Sequence, residues 1–422
     1  MAEEGPPQLL PPLPAVAAAL RAITERLARE LAEPECVAPE WSDFEWRIAR
    51  AVAAIHGISG LLARRLLWQG AHGWAQFLRH QHEQIAGRQR RIQELLGTID
   101  ERFGRAGIPV QALKGAALHL AGFYQPGERP MADLDLLTPP QYIERAAQIL
   151  ETLGLHESHR TFKHRIFEGC DAARPQGLGE CADQGIKVEL HERICEPLPH
   201  RLTDISQRVL APSPVPGLNP YPSRTALMAH LLLHAAGEMA GRTLRIVHLH
   251  DIAMLAGHLS QQEWHELLKW RPWWAWPPLV LAQRYYGTAA PQASIGEARA
   301  CCPPILRRMC ARQCVSDVSL SRLWLEALPG IEWSRSVGEA LRLIGRRVVP
   351  TAEVLADRKF ALATDPCLAQ GDWGGLSQGR RILRALRAPT PRPWPMHSVR
   401  LALAEPPPGL VASEHATNGE RP

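Results

Sequence analysis

The sequence lacks any uninterrupted apolar run of about 18 residues, the length that a helix needs to cross a bilayer, so it predicts no membrane span. The formal net charge is only +5, which permits an anionic substrate but does not require nucleic acid as a partner. Residues 1–14 are acidic and rich in proline, without the basic start and apolar stretch of a secretory signal peptide. These absences predict a cytoplasmic protein that acts without a membrane.

Cysteines are too few and too scattered to predict a disulfide framework. The chain has nine of them in 422 residues, and an odd number fits a reducing compartment better than disulfide pairing. Hydrophobic residues make up 45% of the chain and charged residues 22%, which is the composition of a globular protein with a buried core. At roughly 150 residues per domain, this length predicts two or three domains.

Apolar periodicity changes along the chain and divides it into five segments. Leu20, Ile23 and Leu27 recur at helical spacing near the start, and similar spacing returns after Pro222. Between these helical stretches, strand and helix patterns alternate, which is typical of an α/β unit. The predicted segments are a flexible lead-in (1–14), an N-terminal helical region (15–104), an α/β core (105–212), a helical C-terminal domain (213–360) and a poorly ordered tail rich in proline and arginine (361–422).

The middle segment predicts the fold class. Short apolar runs with alternating polarity indicate strands, and glycine and proline mark the turns between them. Together with the helical flanks, these elements predict an α+β protein with a small mixed sheet. The predicted elements are a strand at 108–113, a turn at Lys114 and Gly115, a helix at 116–124, a strand at 134–137, a helix from about 140 to 153, one or two strands in 155–168 and a strand at 186–191.

Asp133 and Asp135 are separated by one residue within the predicted strand region. In a strand, residues i and i+2 point to the same face, about 6–7 Å apart, so the two carboxylates lie side by side. Leu134 and Leu136 then point the other way, into a core. Neighbouring carboxylates repel each other, and a cation relieves that repulsion. Two hard oxygen ligands at this spacing suit Mg²⁺, so the pair predicts a metal site.

Glu189 offers a third carboxylate, in the apolar strand predicted at 186–191. A charge there is costly to bury without a partner. If this strand neighbours the aspartate strand, Glu189 completes the metal site or accepts a proton from an attacking hydroxyl. His191 lies on the same face and is expected to donate a hydrogen bond rather than to ligate metal. The alternative for Glu189 is an ion pair with Arg129 or Arg193.

Positive groups near the carboxylates predict a site for phosphate. Lys114 and Gly115 follow a strand and open a helix, where backbone N–H groups favour an anion. Gly115 allows close approach of the backbone to a ligand. Lys114 is expected to contact phosphate as a point charge, and Arg129 in bidentate fashion. The alternative is that both cations are ordinary surface residues.

These motifs occur in an order that resembles a known family. The order is Leu113-Lys-Gly-Ala116, Tyr124, Arg129-x-Met-x-Asp-Leu-Asp-Leu136, Val188-Glu-Leu-His191, His230-Leu-Leu-Leu-His234 and Leu249-His-Asp-Ile-Ala253. Over roughly residues 90–290, this pattern resembles the uncharacterised nucleotidyltransferase family of the DNA polymerase β-like superfamily. The resemblance implies that Asp133 and Asp135 bind divalent metal, with Glu189 as the third carboxylate. It also places Lys114 and Gly115 at the phosphate-loop position.

The implied reaction is Mg²⁺- or Mn²⁺-dependent transfer of a nucleotidyl group from a nucleoside triphosphate to a hydroxyl. The acceptor can be a protein, a sugar, a small molecule or RNA. The wider superfamily usually has Gly-Ser at its loop, whereas this chain has Lys114-Gly-Ala116, without the hydroxyl. A second hypothesis is therefore a catalytically degenerate fold that binds a nucleotide or a protein. A third is a helical scaffold whose acidic pair is structural.

The helical C-terminal segment also offers candidate site residues, and Arg245, His248 and His250 are expected to line the cleft of the carboxylates. His230 and His234 lie four apart on a predicted helix, a spacing that can bind zinc, but the chain lacks the glutamate of the H-E-x-x-H pattern. We expect them to pack the helical domain against the α/β unit. Asp251 is expected either to line the same cleft or to form an ion pair on its helix.

Overall fold

The structure is a computed structural model that describes residues 10–169, 177–199, 202–287, 290–364, 366–369 and 376–404. Helices precede and follow a sheet in the middle of the chain. Among the described residues, no helix combines the length and apolar composition that a membrane crossing requires. The helices before the sheet are α1 (Leu13–Ala32), α2 (Asp43–Ile55), α3 (Ser59–Arg65) and α4 (His72–Arg105).

The sheet is mixed, as the sequence predicts, and confirms the α+β fold class. Its strand order is β3-β4-β5-β2-β1-β8, with β2/β5 and β1/β8 parallel and the other pairs antiparallel. The strands are β1 (Pro109–Ala112), β2 (Asp133–Leu137), β3 (Leu155–Arg160), β4 (His164–Gly169), β5 (Lys187–His191) and β8 (Gly217–Asn219), with β6 (Cys195–Pro197) and β7 (Leu202–Asp204) as a separate pair. Between β1 and β3 lie α5 (Lys114–Leu120), a 3₁₀ turn (Pro140–Tyr142) and α6 (Ile143–Thr152).

Helices form most of the rest of the chain. The long apolar helix α8 is capped by Ser223, whose side chain accepts a hydrogen bond from the Ala226 N–H. These helices are α7 (Ser206–Val209), α8 (Arg224–Gly241), α9 (Ile246–Ala256), α10 (Gln261–Leu268), α11 (Trp276–Tyr286), α12 (Gln292–Cys301), α13 (Pro304–Cys310), α14 (Val315–Val318), the 3₁₀ turn Ile331–Trp333, α15 (Val337–Val348), α16 (Ala352–Thr364), α17 (Pro366–Ala369), α18 (Gln378–Arg387) and α19 (Pro393–Ala404).

Two hydrophobic cores organise the molecule. The first joins α1, α2 and α3 to the helices after the sheet, so the two helical segments of the sequence pack together. The second lies between the sheet and the helices α4 and α6. The helix α4 belongs to both, because Trp74 and Phe77 lie in the first core and Ile92, Ile99 and Phe103 in the second. This helix therefore fixes the sheet against the helical part.

The structure covers little of the predicted lead-in but part of the predicted tail. The lead-in prediction falls mainly on residues 1–9, which lie outside the described residues. The prediction of a poorly ordered tail is wrong for α19, which packs on α2 and buries Met396, Val399 and Ala402 in the first core. These three residues recur every third position, which gives the helix one apolar side. Frequent proline and arginine nearby concealed that pattern. Residues 405–422 lie outside the described part of the chain.

Helix α5 also differs from its predicted range of 116–124. It begins at Lys114 and ends at Leu120. Gly122, with a φ of +76°, adopts the left-handed conformation that stops a helix. The helix therefore begins two residues earlier than predicted, directly at the residue proposed to contact phosphate.

Candidate active site

The parallel strands β2 and β5 bring the predicted acidic residues together. Asp135 lies opposite Glu189, and the neighbouring pairs are Asp133 with Lys187 and Leu137 with His191. Directly paired residues point to the same face of a sheet. Asp133, Asp135 and Glu189 are therefore on one face, as the sequence analysis required.

Asp135 is the most enclosed of the three carboxylates. Its Oδ1 atom accepts a hydrogen bond from Lys114 Nζ at 2.9 Å and lies 2.9 Å from His191 Nε2. Burial by itself would raise the pKa of Asp135, but Lys114 and His191 outweigh it and hold the pKa well below its ordinary range. Asp135 is thus ionised at neutral pH. The position of His191 agrees with the hydrogen-bonding role expected from the sequence.

Glu189 is buried, and its surroundings act on its pKa in opposite directions. Burial, and then the charges of Asp133 and Asp135, raise the pKa of Glu189, although Lys187 and Lys114 partly oppose this. Its Oε1 atom lies 2.6 Å from Lys187 Nζ. The ion pairs with Arg129 or Arg193 that sequence reasoning left open are not among its contacts in the described residues.

Lys187 is a site residue that sequence reasoning missed. Its ammonium lies between two carboxylates, 2.6 Å from Glu189 Oε1 and 3.7 Å from Asp133 Oδ2. Burial would lower the pKa of Lys187, but Asp133 and Glu189 raise it, so the side chain stays protonated. A compositional signal was available, because the chain has only five lysines among 48 basic residues. Two of the five, Lys114 and Lys187, contact these carboxylates.

Lys114 begins α5 with a φ of 43°, a left-handed conformation that is uncommon for a residue with a side chain. The backbone N–H of Lys114 donates to Tyr221 Oη at 3.4 Å. Its side chain is 19% exposed and points to Asp135 rather than to solvent. Burial would lower the pKa of Lys114, but Asp135, Asp133 and Glu189 raise it. The alternative of an ordinary surface lysine therefore does not fit.

Arg129 differs from the expectation of a free phosphate ligand. Its Nε and Nη2 atoms donate to the two carboxylate oxygens of Asp251 at 2.8 and 2.7 Å. Tyr124 Oη donates to the same carboxylate at 2.6 Å. The bidentate fork of Arg129 is thus already used, and Asp251 forms its ion pair with this arginine rather than with a residue of its own helix. Arg129 lines the site but does not offer that fork to a ligand.

Gly115 accommodates this arginine. A Cβ atom at Gly115 would lie 2.1 Å from Arg129 Nη1 and 3.2 Å from Met131 Cγ. The sequence predicted that the backbone at Gly115 would approach a ligand closely. In the structure, the group that lies against Gly115 is the guanidinium of Arg129. Gly115 is therefore required for the packing of the loop, whatever else it contacts.

A cavity of about 200 Å³ is lined by two of the three carboxylates, Asp133 and Asp135, whereas Glu189 lies outside its lining. Lys114, Asp133 and Asp135 line one side, and the helices α8 and α9 contribute the other. Among the described residues, Arg245 is a lining cation with no ion-pair partner within 4 Å, in contrast to Lys114 and Arg129. Arg245 is among the residues that the sequence analysis expected to line the cleft, and it does line this cavity.

The predicted histidine pair has two environments. His230 Nδ1 lies 2.7 Å from Tyr221 Oη, so His230 joins α8 to the residue that contacts the Lys114 N–H, as expected for a packing role. His234 instead lines the cavity, where its Nδ1 lies 3.7 Å from Glu196 Oε1. Burial holds the pKa of both histidines well below the ordinary value, so both are neutral.

Comparison with known families agrees with this geometry. A family model described as an uncharacterised nucleotidyltransferase matches residues 42–271, which is more than half of the chain. The chain belongs to this family. No curated protein and no solved structure matches it. Membership in the nucleotidyltransferase family supports a general nucleotidyl-transfer activity, a nucleoside triphosphate substrate and the use of divalent metal.

The residues of this site fit a divalent metal ion. Asp133 is 35% exposed at its side chain and lines the cavity with Asp135. The three carboxylates are opposed by the two ammonium groups of Lys114 and Lys187, which leaves one negative charge unbalanced. Carboxylate oxygens around an excess negative charge are suitable ligands for Mg²⁺ or Mn²⁺. The three do not converge tightly, however: in the described residues the group whose ligand atoms lie within 4.8 Å of one another is His164, Glu189 and His191.

Proposed function

We propose that the protein is a divalent-metal-dependent nucleotidyltransferase that moves a nucleotidyl group from a nucleoside triphosphate to a hydroxyl acceptor. The observation that carries this proposal is the register of β2 and β5, which sets Glu189 opposite Asp135, one of the two aspartates that line the cavity. A buried acidic group on a sheet face costs stability unless it is paired or hydrogen-bonded, and a cluster of carboxylates with shifted pKa values in a cleft favours a functional role. Family membership supplies the reaction class.

Asp133 and Asp135 would hold the metal, with Glu189 on the adjoining strand. Mg²⁺ or Mn²⁺ bound there would neutralise phosphate charge and act as a Lewis acid at the reacting phosphorus group. Glu189 has a raised pKa, which makes it a stronger base than an ordinary glutamate once it is ionised. We assign it the proton of the attacking hydroxyl.

Lys114, Arg245 and the Gly115 backbone are proposed to contact the triphosphate. Lys114 contributes its charge from the start of α5, and Arg245 can offer both ends of its guanidinium fork. Arg129, which the sequence favoured for this task, is assigned the support of the loop through Asp251. The cavity of about 200 Å³ is smaller than the roughly 300–1,000 Å³ of typical ligand sites. We therefore place the triphosphate inside it and the nucleoside at its mouth.

A second candidate is a degenerate nucleotidyltransferase that binds a nucleotide or a protein without turnover. The position of Lys187 favours it, because this ammonium contacts Glu189 at 2.6 Å and Asp133 at 3.7 Å. A cation of the protein thus partly neutralises the site. The loop Lys114-Gly-Ala116, which lacks a hydroxyl, points in the same direction.

Labelled nucleoside triphosphates separate the two candidates. The full-length protein is incubated with each of four α-labelled nucleotides, Mg²⁺ or Mn²⁺, and a cell extract that supplies acceptors. We expect label to enter an acceptor with the wild type, and to fall on the order of 100-fold with Asp133→Asn. Asp183→Asn serves as the matched control, because Asp183 is exposed and lies outside the cavity lining.

If no acceptor becomes labelled, measurements of Mn²⁺ and nucleotide binding distinguish the remaining explanations. If the wild type binds nucleotide in a Mn²⁺-dependent manner without any labelled product, the degenerate candidate replaces the first. If Asp133→Asn binds Mn²⁺ and nucleotide as tightly as the wild type, both candidates are wrong. Arg245→Gln should weaken nucleotide binding by about 1.5–3 kcal/mol, the contribution of a charge-assisted hydrogen bond, if the triphosphate assignment holds.

A further inference from the structure

Two histidines accompany Glu189 on neighbouring strands. His164 on β4 pairs directly with His191 on β5, and their ring centroids are 4.7 Å apart. His164 Nδ1 lies 3.4 Å and His191 Nε2 3.8 Å from the same atom, Glu189 Oε2. One ligand atom from each of the three residues lies within 4.8 Å of the others.

Among the described residues, the Nδ1 atom of His164 has no hydrogen-bond partner, although it is buried. Leaving a buried polar atom unsatisfied costs about 1–3 kcal/mol. Such an atom in a folded protein calls for an explanation, and an ion is one of the ordinary explanations. Its nearest acidic neighbour, Glu189 Oε2, lies 3.4 Å away, without the alignment of a hydrogen bond.

The spacing of these atoms matches the geometry of a zinc site. Zinc binds imidazole nitrogen at about 2.0–2.1 Å and carboxylate oxygen at about 2.0–2.2 Å. Two ligand atoms on a tetrahedral ion are then about 3.4 Å apart. The distances of 3.4 and 3.8 Å to Glu189 Oε2 lie within a few tenths of an ångström of that value, and the ligand nitrogens of the two histidines lie within 4.8 Å of each other.

We propose that His164, His191 and Glu189 bind a first-row transition-metal ion, for which Zn²⁺ is the best match. Two neutral imidazoles and one carboxylate form a ligand set of catalytic zinc sites that leaves a fourth position open. Imidazole nitrogen favours Zn²⁺, Co²⁺ and Cu²⁺ over Mg²⁺, which prefers oxygen. Asp135 Oδ1 lies 2.9 Å from His191 Nε2, and a metal ion bound to that nitrogen would replace this hydrogen bond.

This site is distinct from the proposed site of the aspartate pair, although both use Glu189. The two oxygens of Glu189 face different neighbours: Oε1 contacts Lys187 on the side of Asp133, whereas Oε2 faces the two histidines. A metal bound by the histidines would hold Glu189 in place without occupying the Asp133 side. The inference therefore does not require that the protein transfers nucleotides.

Cobalt titration of the chelator-treated, full-length protein tests this site, because Co²⁺ replaces Zn²⁺ and absorbs visible light. We expect one equivalent of Co²⁺ to produce a visible band that Zn²⁺ abolishes and that excess Mg²⁺ leaves unchanged. His164→Gln should weaken Co²⁺ binding on the order of tenfold to 100-fold. His156→Gln is the matched control, since His156 is an exposed histidine on the adjacent strand β3 and should bind Co²⁺ like the wild type.

X-ray absorption of the zinc-loaded wild type provides a measurement that needs no variant. It should show imidazole ligands to the zinc, and a shell of oxygen alone would overturn the proposal. Unchanged Co²⁺ affinity in a folded His164→Gln protein would overturn it as well. Asp133→Asn should retain the cobalt band while it loses nucleotide transfer. The two proposals can therefore fail separately. Loss of the cobalt absorption band would count against the metal site of the histidines, and the absence of labelled product would count against nucleotide transfer.

Discussion

The two faces of the β2–β5 pair differ in polarity, although each strand has only five residues. On one face, Leu134, Leu136, Val188 and Leu190 are fully buried against α4 and α6. On the other face, charged side chains and His191 pair with one another beneath a cavity. The first face gains free energy from the removal of apolar surface from water. The second face costs desolvation that its ion pairs offset only in part. Because side chains alternate between the two faces of each strand, the residues that stabilise the fold and those proposed for the chemistry lie on opposite faces of the sheet.

The largest stability effect is expected on the apolar face. Leu136→Ala should lower the free energy of unfolding by about 2–5 kcal/mol, because it removes buried methyl groups and leaves a cavity. Urea unfolding followed by circular dichroism measures this loss. The nucleotide-binding constant of the remaining folded protein should be unchanged.

Asp133→Asn, three positions away on the other face, is the companion to that test. Its side chain is 35% exposed, so its stability should change by no more than about 0.5 kcal/mol. If Asp133→Asn proves as destabilising as Leu136→Ala, the contrast between the faces is wrong.

Gly115→Ala is expected to have the next largest effect. The added Cβ would lie 2.1 Å from Arg129 Nη1, and the buried bidentate pair with Asp251 keeps that arginine from moving aside. We expect a loss of about 1–3 kcal/mol in the free energy of unfolding, the ordinary result of overpacking.

Gly97→Ala on α4 is the matched control for that substitution. Its Cβ would meet no atom within 4 Å, so alanine should stabilise the helix by about 0.5–1 kcal/mol. Equal effects of the two substitutions would show that Arg129 is free to move, and would restore it as a phosphate ligand.

The smallest expected effect has the opposite sign. Because burial and the charges of Asp133 and Asp135 raise the pKa of Glu189, the ionised glutamate destabilises the folded metal-free protein. Glu189→Gln should therefore stabilise it, by about 0.5–2 kcal/mol at neutral pH, and should lose nucleotide transfer. Urea unfolding in the presence of a chelator measures this gain.

The pH dependence of the free energy of unfolding tests the sign of the effect of Glu189→Gln. The folded state binds the proton of Glu189 more tightly than the unfolded state, so wild-type stability falls as pH rises above the ordinary value of 4.5. The advantage of Glu189→Gln should be absent below that pH and grow above it. A constant difference at every pH would mean that Glu189 does not carry a raised pKa.

Strand alternation and motif order were enough to predict much of the fold and part of the site. The spacing of Asp133 and Asp135 predicts a shared face, and the polarity of 186–191 predicts that Glu189 and His191 share one too. Both expectations concern residues two positions apart on one strand, where backbone geometry fixes the direction of the side chain. The α+β class followed from the same local patterns.

Contacts between distant segments could not be predicted in this way. Arg129 and Asp251 are 122 positions apart, and no local pattern indicates that the arginine meets a carboxylate before it meets a ligand. His164 reaches Glu189 only through the antiparallel pairing of β4 and β5. Each of these depends on packing across the fold, which is not encoded in a short stretch of sequence.

The helix α4 has a consequence for how the molecule unfolds. It is a single helix of 34 residues, about 50 Å long, and it supplies buried side chains to both hydrophobic cores. Neither core can melt alone without breaking this helix or leaving half of its apolar side in water. The two parts are therefore thermodynamically coupled, and the sheet that carries the carboxylates should unfold cooperatively with the helices around it rather than as an independent module.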